Sequence, residues 1–259
     1  MPGQLLVDEP AQGIVRLTIS NPAKRNALDH AILDALSDAV RAHGAARCLI
    51  LTGAHGMFSA GYDIGDIPAD VFAERAERLV AHPFTAALDA LEACDAPIVA
   101  ALPGHTIGGG LEMALCCDMR LAAQDIRLGM PPAKLGLVYS HVGLRRFIQS
   151  IGAPRTRELF LLGRNVDAQT ALAWGLVNRV AEDVEAAGVE LAAELAANAP
   201  LSIRGNKRII RELLAADVGL DEEVERELIA LREASFASED MQEGVRAFAE
   251  KRPARWQGR

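Results

Sequence analysis

Along the first half of the chain, short apolar runs alternate with segments in which apolar positions recur at the spacing of a helix. Three short runs, rich in β-branched and other apolar residues and bounded by turn-forming residues, read as buried strands over 13–20, 47–52 and 97–102. Apolar positions recur with helical spacing over 29–43 and 70–93, between those runs. Strands that alternate with helices predict an α/β domain with a parallel sheet.

The pattern changes after about residue 155, where Ala, Leu, Glu and Arg dominate the sequence. These residues are strong helix formers, so the C-terminal part is predicted to consist of a series of helices. The expected helices are 154–163, 167–174, 183–198, 201–215, 221–237 and 239–250. We find no low-complexity linker and no internal repeat of solenoid length, so these helices are expected to pack on the domain or on another subunit.

Charge and hydropathy narrow the classes of function. The 259 residues carry 27 basic and 35 acidic side chains, a net charge of −8, which argues against nucleic acid or an anionic membrane as a partner. The longest apolar stretches, such as 96–102 and 111–117, fall short of the roughly 18 residues that span a bilayer. The N-terminal residues lack the basic and apolar regions of a signal peptide. We therefore expect a cytoplasmic protein.

The cysteines do not indicate a metal site. Cys48, Cys94, Cys116 and Cys117 form no C-x-x-C pair and no His/Cys ligand spacing, so neither a disulfide framework nor a zinc site is expected. We predict that they are small core residues.

Two glycine-punctuated loops, 52–64 and 103–113, follow apolar strands. In the second loop, three glycines lead directly into a helix-compatible run, so backbone N–H groups would face whatever binds there and would favour negative charge. A tight turn that allows close packing explains the same glycines equally well.

Known nucleotide and hydrolase motifs do not fit these loops. The sequence contains no P-loop and neither loop has the pattern G-x-G-x-x-G. Ser59 has Gly61 two residues after it but Met57 two residues before it, so the G-x-S-x-G nucleophile elbow is absent. Tyr139 is followed four residues later by Gly143 instead of a lysine, which disfavours a short-chain dehydrogenase. The remaining interpretation is a pair of backbone-donor loops, without an obvious nucleophile or metal ligand, that stabilise a developing oxyanion.

Several linked motifs resemble the crotonase (enoyl-CoA hydratase/isomerase) superfamily, in order over nearly the whole chain. They are Asn-Pro-Ala-Lys-Arg-Asn-Ala-Leu at 21–28, Phe-Ser-Ala-Gly-Tyr-Asp-Ile at 58–64, Gly-Gly-Gly-Leu-Glu at 108–112, Asp118 with the strand after it, and the segment 248–253. The resemblance implies an α/β fold, a crotonase-like ββα spiral over 1–198, with a C-terminal helical trimerisation region over 199–259. It also implies a homotrimer or homohexamer that acts on an acyl-CoA thioester, without a metal or a cofactor other than the coenzyme A of its substrate.

The resemblance also assigns candidate binding residues. The oxyanion hole would be the backbone N–H groups of Tyr62 and Gly109, although the Tyr62 ring is also explained as a loop aromatic that covers the core. Lys24 and Arg25 would contact the phosphates of coenzyme A, and Lys251 would reach the coenzyme A of a neighbouring subunit; exposed, solvated charges are the alternative for all three. The loop residues expected beside coenzyme A are Ala60, Asp63 and Ile64.

The type of crotonase reaction depends on two positions. Glu112 aligns with the first of two glutamates that handle water and proton in the hydratases, and Pro132 stands where the second is expected. The stretch around Tyr139 resembles the branch of the family that decarboxylates methylmalonyl-CoA, which has tyrosine at this place and, unlike this chain, histidine where Tyr62 stands. A buried helix residue and a packing aromatic are the structural alternatives for Glu112 and Tyr139.

We therefore predict an acyl-CoA lyase that decarboxylates a malonyl- or methylmalonyl-type CoA, with the enolate held in the oxyanion hole and the carboxylate by Tyr139. An enoyl-CoA hydratase or isomerase that uses Glu112 as its single carboxylate is the nearest alternative. A non-catalytic acyl-CoA-binding protein is the alternative from another class, and it predicts binding that is insensitive to Glu112→Gln.

Overall fold

The computed structural model describes residues 2–63, 80–216, 222–255 and 257. The strands in chain order are β1 Gln4–Ala11, β2 Ile14–Ser20, β3 Cys48–Gly53, β4 Ile98–Leu102, β5 Thr106–Ile107, β6 Met119–Ala123, β7 Arg127–Gly129, β8 Asn165–Asp167 and β9 Arg179–Ala181. The helices are α1 His30–Ala42, α2 Thr85–Ala93, α3 Gly109–Leu115, α4 Pro132–Leu135, α5 His141–Leu162, α6 Ala168–Trp174, α7 Val184–Ala197, α8 Pro200–Ala216, α9 Glu222–Phe236 and α10 Glu239–Ala249.

Six of the described strands form one sheet in the order β1-β2-β3-β4-β6-β9, antiparallel between β1 and β2 and parallel elsewhere. Every residue of β3 and of β4 is buried, as expected for parallel strands that are covered on both faces. One face packs against α7, through a cluster that includes Ile50, Val99 and Leu191. The other face contributes to the larger core cluster, which includes residues of α1, α2, α3 and α5.

A smaller sheet of the described strands, β5-β7-β8, lies beside the turn into α3. Its strand β5 leads directly through Gly108 into α3, and the N–H of Gly108 donates to the carbonyl of Gly129 in β7. This second sheet therefore holds the start of α3 against the rest of the domain.

The periodicity of the first half predicts its elements well. The runs at 13–20, 47–52 and 97–102 are confirmed as β2, β3 and β4, and the helix predicted over 29–43 is α1. The side chain of Asp29 caps that helix by accepting from the N–H of Ile32 at 2.9 Å. The second half of the helix predicted over 70–93 is α2, after a π turn over Val80–Phe84, whereas residues 70–79 lie outside the described residues.

The helical C-terminal part is confirmed, because the helices predicted over 167–174, 183–198, 201–215, 221–237 and 239–250 are α6, α7, α8, α9 and α10, with two short strands between the predicted helices. The strand β9 interrupts it and pairs with β6 at the edge of the main sheet, and β8 pairs with β7 in the smaller sheet. These three-residue strands owe their conformation to pairing with partners that are distant in the sequence, and we assigned no strand to them. The helix predicted over 154–163 is the second half of α5, which starts at His141 and is broken at Gly152 by a non-helical backbone with φ of 75°.

Two other predictions concern the core and the membrane. The four cysteines are buried, as predicted, and burial raises the pKa of the Cys48 and Cys117 thiols to about 12. A search of the described helices finds none with the length and apolar character needed to cross a membrane.

Candidate active site

The two glycine-punctuated loops lie side by side. Ser59 and Thr106 form an isolated parallel bridge, and the N–H of Ile107 donates to the carbonyl of Ser59 at 3.0 Å. Gly61 has φ of +93°, and a Cβ atom on it would lie only 3.0 Å from the carbonyl oxygen of Ile107. Glycine is therefore required at this position both by its backbone conformation and by the approach of the second loop.

This pairing brings the predicted oxyanion residues into contact. A Cβ atom on Gly109 would lie 2.9 Å from Cε1 of the Tyr62 ring, and a Cβ atom on Gly61 would lie 3.3 Å from the backbone nitrogen of Gly109. Gly109 is the first residue of α3, so its N–H has no acceptor within its own helix. Tyr62 and Gly109 are thus neighbours in space, as an oxyanion hole formed by their backbone N–H groups requires.

Glu112 lies one turn into α3 and is almost completely buried, with 2% of its surface exposed. The hydroxyl of Tyr139 donates to its Oε2 at 2.5 Å. The hydroxyl of Tyr62 lies 3.5 Å from that of Tyr139, at the limit of a hydrogen bond. The structure therefore joins three of the predicted catalytic residues in one row, in the order Tyr62, Tyr139 and Glu112.

Arg146 of α5 extends this row on its far side. Its Nη1 donates to Oε1 of Glu112 at 2.7 Å, and its Nε and Nη2 donate to the two carboxylate oxygens of Glu92 at 2.6 and 2.9 Å. The Arg146 side chain is 12% exposed and that of Glu92, near the end of α2, is 38% exposed. One guanidinium is thus shared by two carboxylates, of which Glu92 holds it by both oxygens.

The electrostatics distinguish the two glutamates. Burial opposes ionisation of Glu92, but its hydrogen bonds from Arg146 prevail and lower its pKa. Burial raises the pKa of Glu112, and the charge and hydrogen bonds of Arg146 and Tyr139 only partly offset that effect. Burial and the neighbouring Glu112 also raise the pKa of Tyr139 well above its usual value of 10.0. Glu112 is therefore the carboxyl that more readily accepts a proton.

Phenylalanine rings fix the two tyrosines. Tyr62 packs edge to face on Phe84, with ring centroids 4.7 Å apart, and Tyr139 packs in the same way on Phe160 at 5.4 Å. Phe147 supports Phe160 from behind at 4.9 Å. Since these contacts are apolar and directional, they hold both hydroxyl groups in place without competing for their hydrogen bonds.

The C-terminal helices pack against this end of the site. Phe236 of α9 and Met241 of α10 form a small cluster with Tyr62, Leu135 and Leu137. The backbones of α10 and α4 touch, because a Cβ atom on Gly244 would lie 2.5 Å from the carbonyl oxygen of Leu135. Helices α9 and α10 therefore contribute to the wall around Tyr62 in this chain.

Four of the six predicted coenzyme A residues come together. The N–H of Ala60 donates to the carbonyl of Arg25 at 3.1 Å, and Nζ of Lys24 contacts both carboxylate oxygens of Asp63 at 3.0 and 2.8 Å. The Arg25 side chain is exposed at the rim of this group. Their roles towards coenzyme A stay predictions.

The other two predicted coenzyme A residues are not joined to this group. Ile64 lies outside the described residues. Lys251 is exposed just beyond α10, where its N–H donates to the carbonyl of Phe248 at 3.2 Å. Its expected contact with a neighbouring subunit stays a prediction.

Sequence reasoning missed Arg146 and Glu92. They lie on different helices, and Arg146 falls in a stretch to which we assigned no element. The available signal was an arginine beside the helically spaced apolar positions Gly143, Phe147 and Ile151, which are all buried. Within the described part of the chain, no group of three or more His, Cys, Asp or Glu residues is arranged to hold a metal ion.

Comparison with known proteins gives a consistent picture. The model of the family described as enoyl-CoA hydratase/isomerase matches residues 9–259. A probable enoyl-CoA hydratase of Mycobacterium bovis is 33% identical over 251 residues, covering 96% of this chain and 97% of the relative. Methylmalonyl-CoA decarboxylase in complex with 2-nitronate-propionyl-CoA superposes with a TM-score of 0.88 at 28% identity and covers 99% of both chains. The same type of enzyme complexed with 2S-carboxypropyl CoA gives a TM-score of 0.88 at 30% identity and covers 98% of both chains.

Proposed function

Since the chain belongs to the enoyl-CoA hydratase/isomerase family, the crotonase superfamily of acyl-CoA enzymes, we propose that it removes CO2 from a malonyl- or methylmalonyl-type CoA thioester. The product would be the corresponding acyl-CoA, which carries hydrogen where the carboxylate was. The solved decarboxylase with a similar fold, whose complex holds 2S-carboxypropyl CoA, supports this choice of substrate class.

The proposal is carried by the hydrogen bonds of Glu112, which is the one carboxylate in the row formed by Tyr62, Tyr139 and Glu112. Hydration needs an acid and a base on either side of the added water. Here Glu112 is already the acceptor of Tyr139 and Arg146, and Pro132, which cannot transfer a proton, is the first residue of α4. Decarboxylation requires less, because the protein must orient the carboxylate and stabilise the enolate that forms.

The steps follow from these residues. The bond between Cα and the carboxylate carbon breaks, CO2 leaves, and the electron pair forms a thioester enolate whose oxygen accepts from the backbone N–H groups of Tyr62 and Gly109. A proton then moves from protonated Glu112 to the Tyr139 oxygen, while the Tyr139 proton moves to Cα. Solvent supplies a new proton to Glu112, so one proton is consumed for each CO2 released.

A second function has a specific observation in its favour. Sequence relatives are named enoyl-CoA hydratases, and a buried glutamate with a raised pKa suits proton transfer. On this alternative, Glu112 would move a proton along an enoyl-CoA as the single base of an isomerase or hydratase. A protein that only binds acyl-CoA is the third case.

One incubation series separates these functions. The purified protein is given methylmalonyl-CoA, malonyl-CoA or crotonyl-CoA in D2O, and products are identified by mass, with Glu112→Gln in parallel. We expect propionyl-CoA with one deuterium from methylmalonyl-CoA, and slower formation by Glu112→Gln. Water addition to crotonyl-CoA without loss of CO2 from either malonyl thioester would contradict the proposal, as would tight binding without any product.

We also propose that the chain assembles as a homotrimer or a pair of trimers through α8. On one side of this helix, Lys207 binds Asp118 at 2.7 Å and Arg211 donates to the carbonyl of Glu92. The apolar side chains that α8 leaves exposed are Leu201, Ile209, Ile210, Leu213 and Leu214, between 47% and 85% exposed. An exposed apolar face of this kind is a typical subunit contact, and a second copy of the chain would cover it.

A further inference from the structure

Several elements contact Glu112, and among the described residues only one of its neighbours is a cation that binds it directly. That cation, Arg146, is held more fully by Glu92 than by Glu112, because Glu92 receives two of its three described hydrogen bonds. Tyr139 is the other described side chain that binds Glu112 directly. The described titratable or charged groups around Tyr139, Arg146 and Glu92 are Tyr62, Cys116, Asp89 and Arg145.

We propose that Glu92 is a positioning residue that acts through Arg146: it offsets the guanidinium charge, so that Arg146 orients Glu112 without keeping it ionised. This inference rests on the proposed decarboxylation, for which it names the device that admits an anionic acyl group. Glu92 touches Arg146 and lies beyond it from Tyr139. Its own charge also raises the pKa of Glu112 directly, but that effect is the smallest of those that act on Glu112.

The charge balance gives the physical reason. A lone arginine beside a buried carboxylate favours the charged form and lowers its pKa by roughly one to three units. Bound by both oxygens of Glu92, Arg146 belongs to a nearly neutral pair, and burial then dominates at Glu112. The orientation survives, because Nη1 of Arg146 still donates to Oε1 of Glu112 at 2.7 Å.

This balance matters when a substrate carboxylate arrives beside Tyr139. If Glu112 stayed ionised, it would repel the second anion and would also keep the only proton of the Tyr139 hydroxyl for itself. If Glu112 takes up a proton, it donates to the Tyr139 oxygen, and Tyr139 can turn its own proton to the substrate carboxylate. A Glu112 that is easily protonated therefore removes a repulsive charge and creates a donor in one step.

The test is a titration of Glu112 in the free protein, which requires no turnover. The infrared band of its protonated carboxyl is identified by its absence in Glu112→Gln and followed with pH. We expect Glu92→Gln to lower the midpoint of that titration by about one pH unit or more, because it uncovers the charge of Arg146. Arg146→Met should raise the midpoint, because it removes that charge.

Controls keep the result interpretable. Glu158→Gln, at an exposed position of α5, makes the same change in net charge and should leave the midpoint where it is in the unmodified protein. Glu92→Asp should restore most of the original midpoint. Thermal unfolding checks that each variant is folded, and Arg146→Gln, which also removes the charge, replaces Arg146→Met if the latter is not. A Glu92→Gln midpoint equal to that of Glu158→Gln in folded protein would overturn the proposal, as would a midpoint that does not rise when Arg146 is replaced.

A comparison of two ligands gives the second readout. In Glu92→Gln we expect the KM for methylmalonyl-CoA to rise about tenfold, the equivalent of one pH unit in the protonation of Glu112, with the dissociation constant of propionyl-CoA, whose acyl group has no carboxylate, unchanged. Equal weakening of both ligands would overturn the role of Glu92. Failure of the protein to decarboxylate would contradict the proposed function alone, since the titration and the propionyl-CoA binding do not depend on it.

Discussion

Tyr139 donates its hydroxyl hydrogen to Oε2 of Glu112 across 2.5 Å. A phenol has one proton, so while Glu112 is ionised Tyr139 offers only lone pairs to anything else in the site. Our sequence-based hypothesis that Tyr139 holds a substrate carboxylate therefore depends on Glu112 being protonated. This single hydrogen bond couples the two residues that the proposed reaction needs most.

Replacing Tyr139 by Phe should lower kcat for methylmalonyl-CoA by about two orders of magnitude, within the range of a positioned proton donor. The ring keeps its edge-to-face contact with Phe160, so thermal unfolding should change little. Steady-state kinetics measure the effect, with Tyr62→Phe as the comparison, for which we expect a smaller loss. An unchanged kcat for Tyr139→Phe would remove Tyr139 from the mechanism.

The substitution Gly109→Ala should reduce kcat by about 100-fold or more, the typical effect of losing an oxyanion donor. Its methyl group would meet the Tyr62 ring at 2.9 Å and push the two loops apart. Gly44→Ala is the matched control, because Gly44 does not have a positive φ and the atoms nearest to its added methyl group, the carbonyl oxygens of Val40 and Arg41, lie at van der Waals distances of 3.6 and 3.7 Å. That control should keep full activity and gain about 0.4 to 1 kcal/mol of stability. Equal activity of the two variants would contradict an oxyanion role for Gly109.

Stability should fall as the pH rises above about 10, where the buried Cys48 and Cys117, with pKa values raised to about 12, act in the same direction as Tyr139. Its pKa is raised in the folded state, so above the ordinary tyrosine value the unfolded chain binds fewer protons than the folded protein, which favours unfolding. The chain has only two tyrosines, so tyrosinate absorbance reports on Tyr62 and Tyr139 alone. We expect the signal of Tyr139 to appear only together with unfolding. A tyrosinate signal in folded protein that Tyr139→Phe abolishes would contradict this.

Arg25→Ala should raise the KM for acyl-CoA substrates by about threefold to tenfold, since one exposed phosphate contact would be lost. Its guanidinium is exposed beside the Lys24–Asp63 ion pair, at the predicted entrance for coenzyme A. The same acyl group on N-acetylcysteamine, which has no phosphate, serves as the control substrate and should show no change. If both thioesters are weakened equally, Arg25 acts on the loop and not on phosphate.

Leu213→Glu should dissociate the proposed oligomer, because it puts a charge in the exposed apolar face of α8, where Leu213 is 65% exposed. Arg208→Glu is the control at an exposed charged position of the same helix, and its effect should be limited to local helix electrostatics, because it replaces the ion pair with Glu212 by two like charges. Light scattering coupled to size-exclusion chromatography gives the masses. A monomeric unmodified protein, or a Leu213→Glu variant with unchanged mass, would contradict the proposal.

The sequence by itself determined the elements whose hydrophobic pattern is local. Strands β2, β3 and β4 follow from short apolar runs, and α1 follows from its 3.6-residue period and its capping Asp29. The motifs around Gly61, Gly109 and Glu112 were also sufficient to indicate the family, because each motif is a contiguous stretch of residues and the motifs occur in the order typical of the family.

Only the tertiary structure decided the remaining features, and the physical reason is the same for each. Strands β8 and β9 form because they pair with β7 and β6, which are distant in the sequence, and local propensity does not indicate such pairing. Arg146 binds Glu92 and Glu112, which are 54 and 34 residues away in the sequence. Contacts between single side chains do not produce a periodic pattern, so the sequence did not predict them. Their charges matter only at hydrogen-bond distance and under burial, so the protonation of Glu112 is a property of the folded molecule.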